Sequence, residues 1–595
     1  MRRSRADYAL LAALLCVLGL LLVVPVWLTV RGAFHVDGQW TMREVAALLE
    51  DPLVLQGLRN SLAIAVCTTT LATLISLPVA LAGARCSFPG KSLLSAALLA
   101  PLILPPFVGA IGVQALLARE GSVNAILQRL GITDGPVDLL SNGGFLAIVG
   151  VQSLALFPVI YLNVVAALAN IDPALDEAAR NAGAGAWTRF RRITLPLLRP
   201  GLFAGATIVF VWSFTELGTP LVFEFRRVTS VQIFDGLKEV ESSARPYALT
   251  VMMLFVSAGV YTVSRALLGR SRDVASTKAS VRRAEAQLGL GGTLAMWVLF
   301  GGLIAVACLP HTGVILSSVS VVGSWYGSVL PQAFTLEHFA HALKHPLAAG
   351  SIRNSLMLSS AAVAVGIVIG LMAARLLVRS TVRGKWLLDA LVMMPLAVPG
   401  LVMAFGYVSM SLAWPFAGSP PSWLMWTRHL MSDGAWTWFS DGPLGPYASV
   451  VAAEPSPFPF LIAAYAVRRL PYVVRSASAG LQQTPVDLEQ AAANAGAGRA
   501  RILRKIVLPL VAANLVAGGL LAFSFSMLEV SDSIVLAQRE GNYPVTKAIY
   551  TLAERLGDGP QIASAMGVWA MALLAATLLA ASAALGKRLG AVFRG

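Results

Sequence analysis

The chain has 595 residues, 57% of them hydrophobic and 13% charged, with a formal charge of +15 at pH 7 and a mean hydropathy of +0.73. A soluble domain carries about 25% charged residues, so an ordinary water-soluble fold is excluded. The basic residues fall in short clusters between apolar runs, which argues against a nucleic-acid-binding face. Apolar runs of roughly 20 residues can cross about 30 Å of hydrocarbon. They begin near Tyr8, Asn60, Ser92, Gly144, Gly201, Tyr247, Leu290, Asn354, Trp386, Pro457, Ala512 and Ile562. The expected fold is therefore all-α, integral to the membrane, with about twelve transmembrane helices.

The first run follows Arg2, Arg3 and Arg5 but is followed by no small-x-small cleavage site, so it reads as a retained helix rather than a signal peptide. Arg85 and Lys91 follow the second run; Arg180, Arg189, Arg191, Arg192 and Arg199 follow the fourth. Arg265, Arg270, Arg272, Lys278, Arg282 and Arg283 follow the sixth, and Lys587, Arg588 and Arg594 close the chain. Every second loop is thus basic, and the positive-inside rule places these loops and both termini in the cytoplasm. Cys16, Cys67, Cys86 and Cys308 lie in or beside apolar runs without CxxC spacing, which implies neither a disulfide framework nor a zinc site.

The chain is written twice. Arg59-Asn60-Ser61-Leu62 recurs as Arg353-Asn354-Ser355-Leu356, an offset of 294, which also carries Pro101, Pro105 and Gly112 onto Pro395, Pro399 and Gly406. Further on the offset is 313, because the second copy gains 19 residues between Gly406 and Leu470. Under it, 12 of the 21 residues from 177 to 197 are identical to those from 490 to 510. The expected organisation is a first half over residues 1–268, a cytoplasmic linker over 269–289 and a second half over 290–595. Six helices per repeat keep both copies in one orientation, related by a pseudo-twofold along the membrane normal.

Between the fourth and fifth runs of each half lies a polar segment, 172–200 and 484–512. Asp172-Pro173 and Thr484-Pro485 place a capping residue before a proline at the first helical position. Asp176 and Glu177 then sit at the positive end of the helix dipole. Asn181, Gly183 and Gly185 end this helix, and a second short helix from about Trp187 is expected to stop at Pro196. A solvated basic loop needs no such duplicated caps, glycines and Leu-Pro pairs.

The pattern EAA-x3-G-x9-I-x-LP is met by Glu177, Ala178, Ala179, Gly183, Ile193, Leu195 and Pro196. It resembles the cytoplasmic signature loop of binding-protein-dependent ABC importer permeases, here the type I architecture with two halves fused. The resemblance implies that Glu177 to Pro196 docks one ABC ATPase subunit and Gln490 to Pro509 another. The matching residues of the second copy are Gln490, Ala491, Ala492, Gly496, Ile506, Leu508 and Pro509. Gln490 departs from the pattern, with Glu489 one residue earlier. The fused layout is similar to ferric-iron permeases, and also to thiamine and aminoethylphosphonate permeases. The resemblance further implies a bacterial inner-membrane location, an extracytoplasmic solute-binding protein, and ATP and Mg²⁺ bound by the ATPase partner rather than by this chain. A secondary carrier also uses twelve helices in parallel repeats but needs no docking loop.

Glu216 and Glu529, partners under the 313 offset, each interrupt an apolar run. A charge near the bilayer centre costs about 2.5–3.5 kcal/mol on insertion scales, so both face protein or water. They are either hydrogen-bonded between helices or part of the wall of a translocation path. Asp532 stands where the first half has Thr219, and makes the second half more acidic there. His338, His341 and His345 share a helix face, but the matching first-half segment REVAALLEDP is an amphipathic external helix without histidine; no metal site is assigned. The 19 extra residues bring Trp414, Trp423, Trp426, Trp436 and Trp438 to an external loop, either an aromatic interface belt or a docking surface for an external partner. PGKS at 89–92 lacks the first glycine of a P-loop, and neither GxSxG nor HExxH occurs, so no catalytic residue is assigned and the chain is not expected to be an enzyme.

Overall fold

A computed structural model describes residues 5–36, 38–140, 144–269 and 286–585. Most of the expected linker, together with Arg2, Arg3, Lys587, Arg588 and Arg594, lies outside the described residues. Strands are confined to two short pairings. One of them sets Cys86–Ser87 beside Ala286–Gln287, so the end of the expected linker lies against the loop that follows the second helix of the first half.

Among the described residues, nine helices are long and apolar enough to cross a membrane: α1 (Arg5–Phe34), α2 (Pro52–Arg85), α4 (Phe145–Ala169), α5 (Ala186–Phe214), α6 (Arg245–Ser264), α7 (Leu290–Ala307), α8 (Pro346–Arg379), α11 (Ala500–Met527) and α12 (Gly559–Ala581). Two further segments are bent pairs: α3 (Lys91–Ile103 and Pro106–Arg129, 91°) and α9 (Lys385–Leu396 and Gly400–Ser411, 105°). Each was expected as one straight span. The repeated prolines explain the breaks: Leu104 is extended (φ −108°, ψ 124°) before Pro105, as a residue preceding proline prefers, and Pro399 begins the second limb of α9 in the same way. The twelfth segment, α10 (Phe458–Gln483), is long enough to cross but carries Arg468, Arg469 and Arg475, and is the least apolar of the set.

The halves are exchanged rather than side by side. Leu11, Leu14 and Leu18 of α1 are buried in a core made with α8, α10 and α11, whereas Phe300 and Ala307 of α7 are buried with α2, α4 and α5. Glycines allow the closest approaches. A Cβ on Gly112 would lie 2.5 Å from both the Pro310 carbonyl oxygen and the Val314 nitrogen, and one on Gly406 would lie 2.9 Å from Pro25. Such small-residue contacts are how apolar helices pack where burial from water supplies no drive. In this way α1 clasps α9, and the helix Leu309–Val319 that follows α7 clasps α3.

The repeated Arg-Asn-Ser-Leu stretch has a shared purpose. Asn60 Nδ2 donates to the Arg227 carbonyl at 2.8 Å and Asn354 Nδ2 to that of Tyr543 at 3.2 Å; the Ser61 and Ser355 hydroxyls accept from the amides of Thr229 and Val545 at 2.9 and 2.8 Å. These bonds anchor a short helix between the last two spans of each half, Thr229–Asp235 and Val545–Ala553. Their offset is 316, three residues beyond the one legible upstream.

Candidate coupling loops and translocation cavity

The first polar loop opens with the helix Pro173–Asn181, whose cap is as expected: the Asp172 carboxylate accepts from the Ala174 amide at 2.9 Å. The helix ends in a left-handed Gly183 (φ 81°). The Gly183 amide donates to Arg180 O and the Ala184 amide to Ala179 O, satisfying carbonyls that a helix end otherwise leaves open. The second loop repeats this with Val486–Asn494 and Gly496 (φ 81°).

Two local expectations are corrected. Thr484 does not cap: its hydroxyl turns back to the Gly480 carbonyl at 3.0 Å, and its own carbonyl accepts from Arg379 at 2.7 Å. Nor does Pro196 stop a helix. The segment from Ala186 runs unbroken to Phe214, passing through a π-helical turn at Phe190–Thr194, and Leu503–Val507 repeats that turn before Pro509. A proline clashes with the carbonyl four residues back; the widened turn supplies the space, so each Leu-Pro pair sits at the head of a continuing helix.

Glu177 and Gln490 are both exposed, as are Ala178, Ala491, Gly183 and Gly496, while Ala179 and Ala492 are half-buried. Ile193, Leu195, Pro196 and Ile506 are half-buried where each loop enters its span, and Leu508 and Pro509 are exposed. Glu489 is the equivalent of Asp176, not of Glu177, and it is held by Arg379 at 2.9 Å; Asp176 faces Arg189 at 3.2 Å. The second loop therefore ties its acid to the end of α8 instead of to its own arginine, and it lacks the outward carboxylate. It also has Ala500 where the first presents Trp187, 70% exposed.

Between the halves lies a cavity of about 220 Å³, walled by the breaks of α3 and α9, by α4 and α10, and by the inner ends of α5 and α11. Its lining is pseudo-symmetric: Pro101 and Pro105 face Pro395 and Pro399, and Glu216 faces Glu529. The charges are not. Glu529 is 4% exposed and receives Arg468 at 2.6 Å and also Arg469; Arg468 reaches Asp532 at 3.3 Å. The Arg469 guanidinium lies over the Phe525 ring, 5.5 Å from its centre. In the first half Ala155 and Leu156 replace the two arginines. The half-buried Glu216 accepts from the Thr219 amide and hydroxyl, at 3.3 and 3.4 Å.

The two path candidates Glu529 and Asp532 are thus brought together, and Glu216 lines the same cavity apart from them. The expectation that Asp532 makes the second half more acidic is overturned, since two arginines balance the two carboxylates there and the uncompensated charge belongs to the first half. Arg468 and Arg469 were missed by sequence reasoning. The signal was present: adjacent arginines ten residues into a span, with two acids in the facing run and none of the three extra charges in the other repeat.

A family profile described as the inner membrane component of binding-protein-dependent transport systems matches residues 67–272 and again 366–591. The chain belongs to this family. It is a multi-pass membrane protein in which the family unit is present twice. A putative ferric transport system permease protein of Haemophilus influenzae is 26% identical over 559 residues, covering 89% of this chain and 78% of that protein. A ferric transport system permease protein of Actinobacillus pleuropneumoniae is 24% identical over 544 residues, covering 90% and 73%. A molybdenum transport system permease protein of Escherichia coli is 33% identical over 218 residues, 34% of this chain and 93% of that protein, the length of one half.

The histidines of the permease diverge in partner. His338 is buried and bonds the Ser320 carbonyl at 2.9 Å, His341 lies 3.7 Å from Asp558, and His345 faces Arg555 at 3.2 Å. The helix is thus only partly a surface helix. In the external loop Trp414 packs on Phe439 with ring centres 5.0 Å apart, while Trp423, Trp426 and Trp438 are exposed. Lys547, on the short helix of the second half, is buried with its ammonium 5.4–5.8 Å from the ring centres of Phe234, Tyr543 and Tyr550, bridging the two halves. Burial pushes its pKa down to about 8, against an opposing pull from Glu554.

Proposed function

We propose that this permease is the membrane path of a ferric-iron importer, powered in trans by two ABC ATPase subunits and supplied by an extracytoplasmic binding protein. The observation that carries the reading is the cavity on the pseudo-twofold, lined by matched residues of both halves and left with one uncompensated carboxylate. The ferric relatives that align along nearly the whole chain support the choice of solute, whereas the molybdenum relative aligns with 34% of it. An oxyanion would require free cationic groups, and both cavity arginines are engaged by carboxylates.

The helices Pro173–Asn181 and Val486–Asn494 each seat in one ATPase subunit on the cytoplasmic side, where both termini also lie. Each helix, stiffened by its cap or ion pair, is closed by a left-handed glycine and leads within a few residues into α5 or α11, which runs unbroken through its π turn. A displacement at the loop is therefore delivered to the cavity wall at Glu216 or Glu529. Closure of the ATPase dimer draws the two loops together and turns the cavity from one side to the other, an alternation of access biased by ATP bound to the partner. Uptake by the complete transporter in proteoliposomes tests the solute: binding protein loaded with ferric iron should drive ATP-dependent accumulation. Accumulation of molybdate but not iron would refute the assignment.

A further inference from the structure

The cavity is matched in shape and mismatched in charge, and the mismatch is built in at several positions at once. Gly400 is glycine because a Cβ there would lie 1.9 Å from the Arg468 guanidinium; its first-half equivalent is Pro106, opposite Ala155. Asp532, the second acceptor for Arg468, is replaced by Thr219, which instead donates to Glu216. The second half therefore has a space, a cation pair and an extra acid that belong together, and the first half lacks all three. Glu529 is sealed by its arginines, whereas Glu216 remains open to the cavity and, among the described residues, has no ion-pair partner.

We propose that Glu216 is the carboxylate that holds a hard, multiply charged metal cation in transit, and that Arg468 and Arg469 lock Glu529 and Asp532 away from it. The inference rests on the ferric reading and names the residue that would make it specific. Carboxylate oxygen suits such a cation. A second open carboxylate would turn a passage into a trap, because conduction needs binding strong enough to enter and weak enough to leave. Among the described residues no three His, Cys, Asp or Glu side chains come together as a metal cluster, which fits transit rather than residence. The locked set also fixes α10 to the end of α11, so neutralising the second acid serves rigidity as well as selectivity.

The first half retains two of the parts needed to build the same lock. Trp212 is the equivalent of Phe525, on which Arg469 lies, and Glu216 that of Glu529. Pro106 fills the space an arginine at position 155 would need, but position 156 borders the cavity beside Trp212. Leu156→Arg should therefore place a guanidinium on Glu216 without unfolding the chain. The test uses the complete transporter in proteoliposomes, with ferric-loaded binding protein, and follows uptake, ATPase activity and thermal midpoint. Glu216→Gln should cut maximal uptake about tenfold, as for loss of one contact to a charged group, with assembly and midpoint unchanged. Glu216→Asp should recover part of the rate, and Leu156→Arg should abolish uptake while keeping the midpoint. Wild-type iron uptake by Glu216→Gln overturns the carboxylate assignment alone. Absence of iron uptake by the unmodified transporter overturns the ferric reading and this inference with it.

Discussion

Glu529→Gln should destabilise the permease far more than Glu216→Gln, although the two glutamates are equivalent in the repeat. At position 529 the change removes the charge that two guanidinium groups share. A glutamine retains one acceptor oxygen and turns an amide NH₂ toward the second arginine. Arg468 keeps Asp532 at 3.3 Å and Arg469 keeps the Phe525 carbonyl at 3.1 Å, so the loss should fall at the low end of the roughly 3–5 kcal/mol typical for breaking a buried ion pair. At position 216 no ion pair is broken, and a glutamine oxygen can still accept from Thr219; less than about 1 kcal/mol is expected from one neutral hydrogen bond. Thermal denaturation of the purified chain in detergent, followed by a thiol-reactive dye, would rank the variants. The midpoint should fall by several degrees for Glu529→Gln and hardly at all for Glu216→Gln. The double change Glu529→Gln with Arg469→Gln should cost less than the sum of its parts, because residues in contact couple. Equal midpoints for the two single variants, or strict additivity in the double, would refute the lock.

Gly183→Pro with Gly496→Pro replaces two left-handed residues by one fixed near φ −65°, and should abolish ATPase association and uptake while membrane insertion persists, as co-purification and uptake assays would show. Gly112→Leu drives a side chain into the backbone of the helix Leu309–Val319 that follows α7 and should cost about 1–3 kcal/mol or more by overpacking, seen as loss of monodisperse protein on size exclusion; Gly19→Leu, where a Cβ meets nothing within 4 Å, should be tolerated. Lys547 has a folded pKa of about 8, below its usual value near 10.4, so its burial penalty is full below about pH 8 and fades as pH rises through 8 toward 10.4. Lys547→Met should therefore raise the midpoint at pH 7, with the advantage over wild type shrinking by pH 10.

The repeat, most span positions, the Asp172 cap and the glycine ends of the loop helices were legible because they rest on local rules: apolar length, proline before a helix, glycine after one. Other features depended on partners far away in sequence. The prolines that bend α3 and α9 are local, but that the two breaks face each other across a cavity is not. The exchange of α1 and α7 between halves leaves no periodic trace beyond Gly112 and Gly406, whose meaning lies in what approaches them. The charge lock was spread over three segments, and Asp532 read alone gave the wrong sign; only beside Arg468 does it become a counter-ion. The π turns before Pro196 and Pro509 replaced the expected helix stops because a single widened turn removes the clash that makes proline a breaker.

The account stands on the two polar loops being gripped from the cytosol by a separate ATPase. In a background lacking Cys16, Cys67, Cys86 and Cys308, single cysteines at Glu177 and Gln490 should react with a membrane-impermeant maleimide only from the cytoplasmic side. They should also cross-link to the ATPase subunit in the assembled transporter. Labelling of either position from the outside would contradict the account.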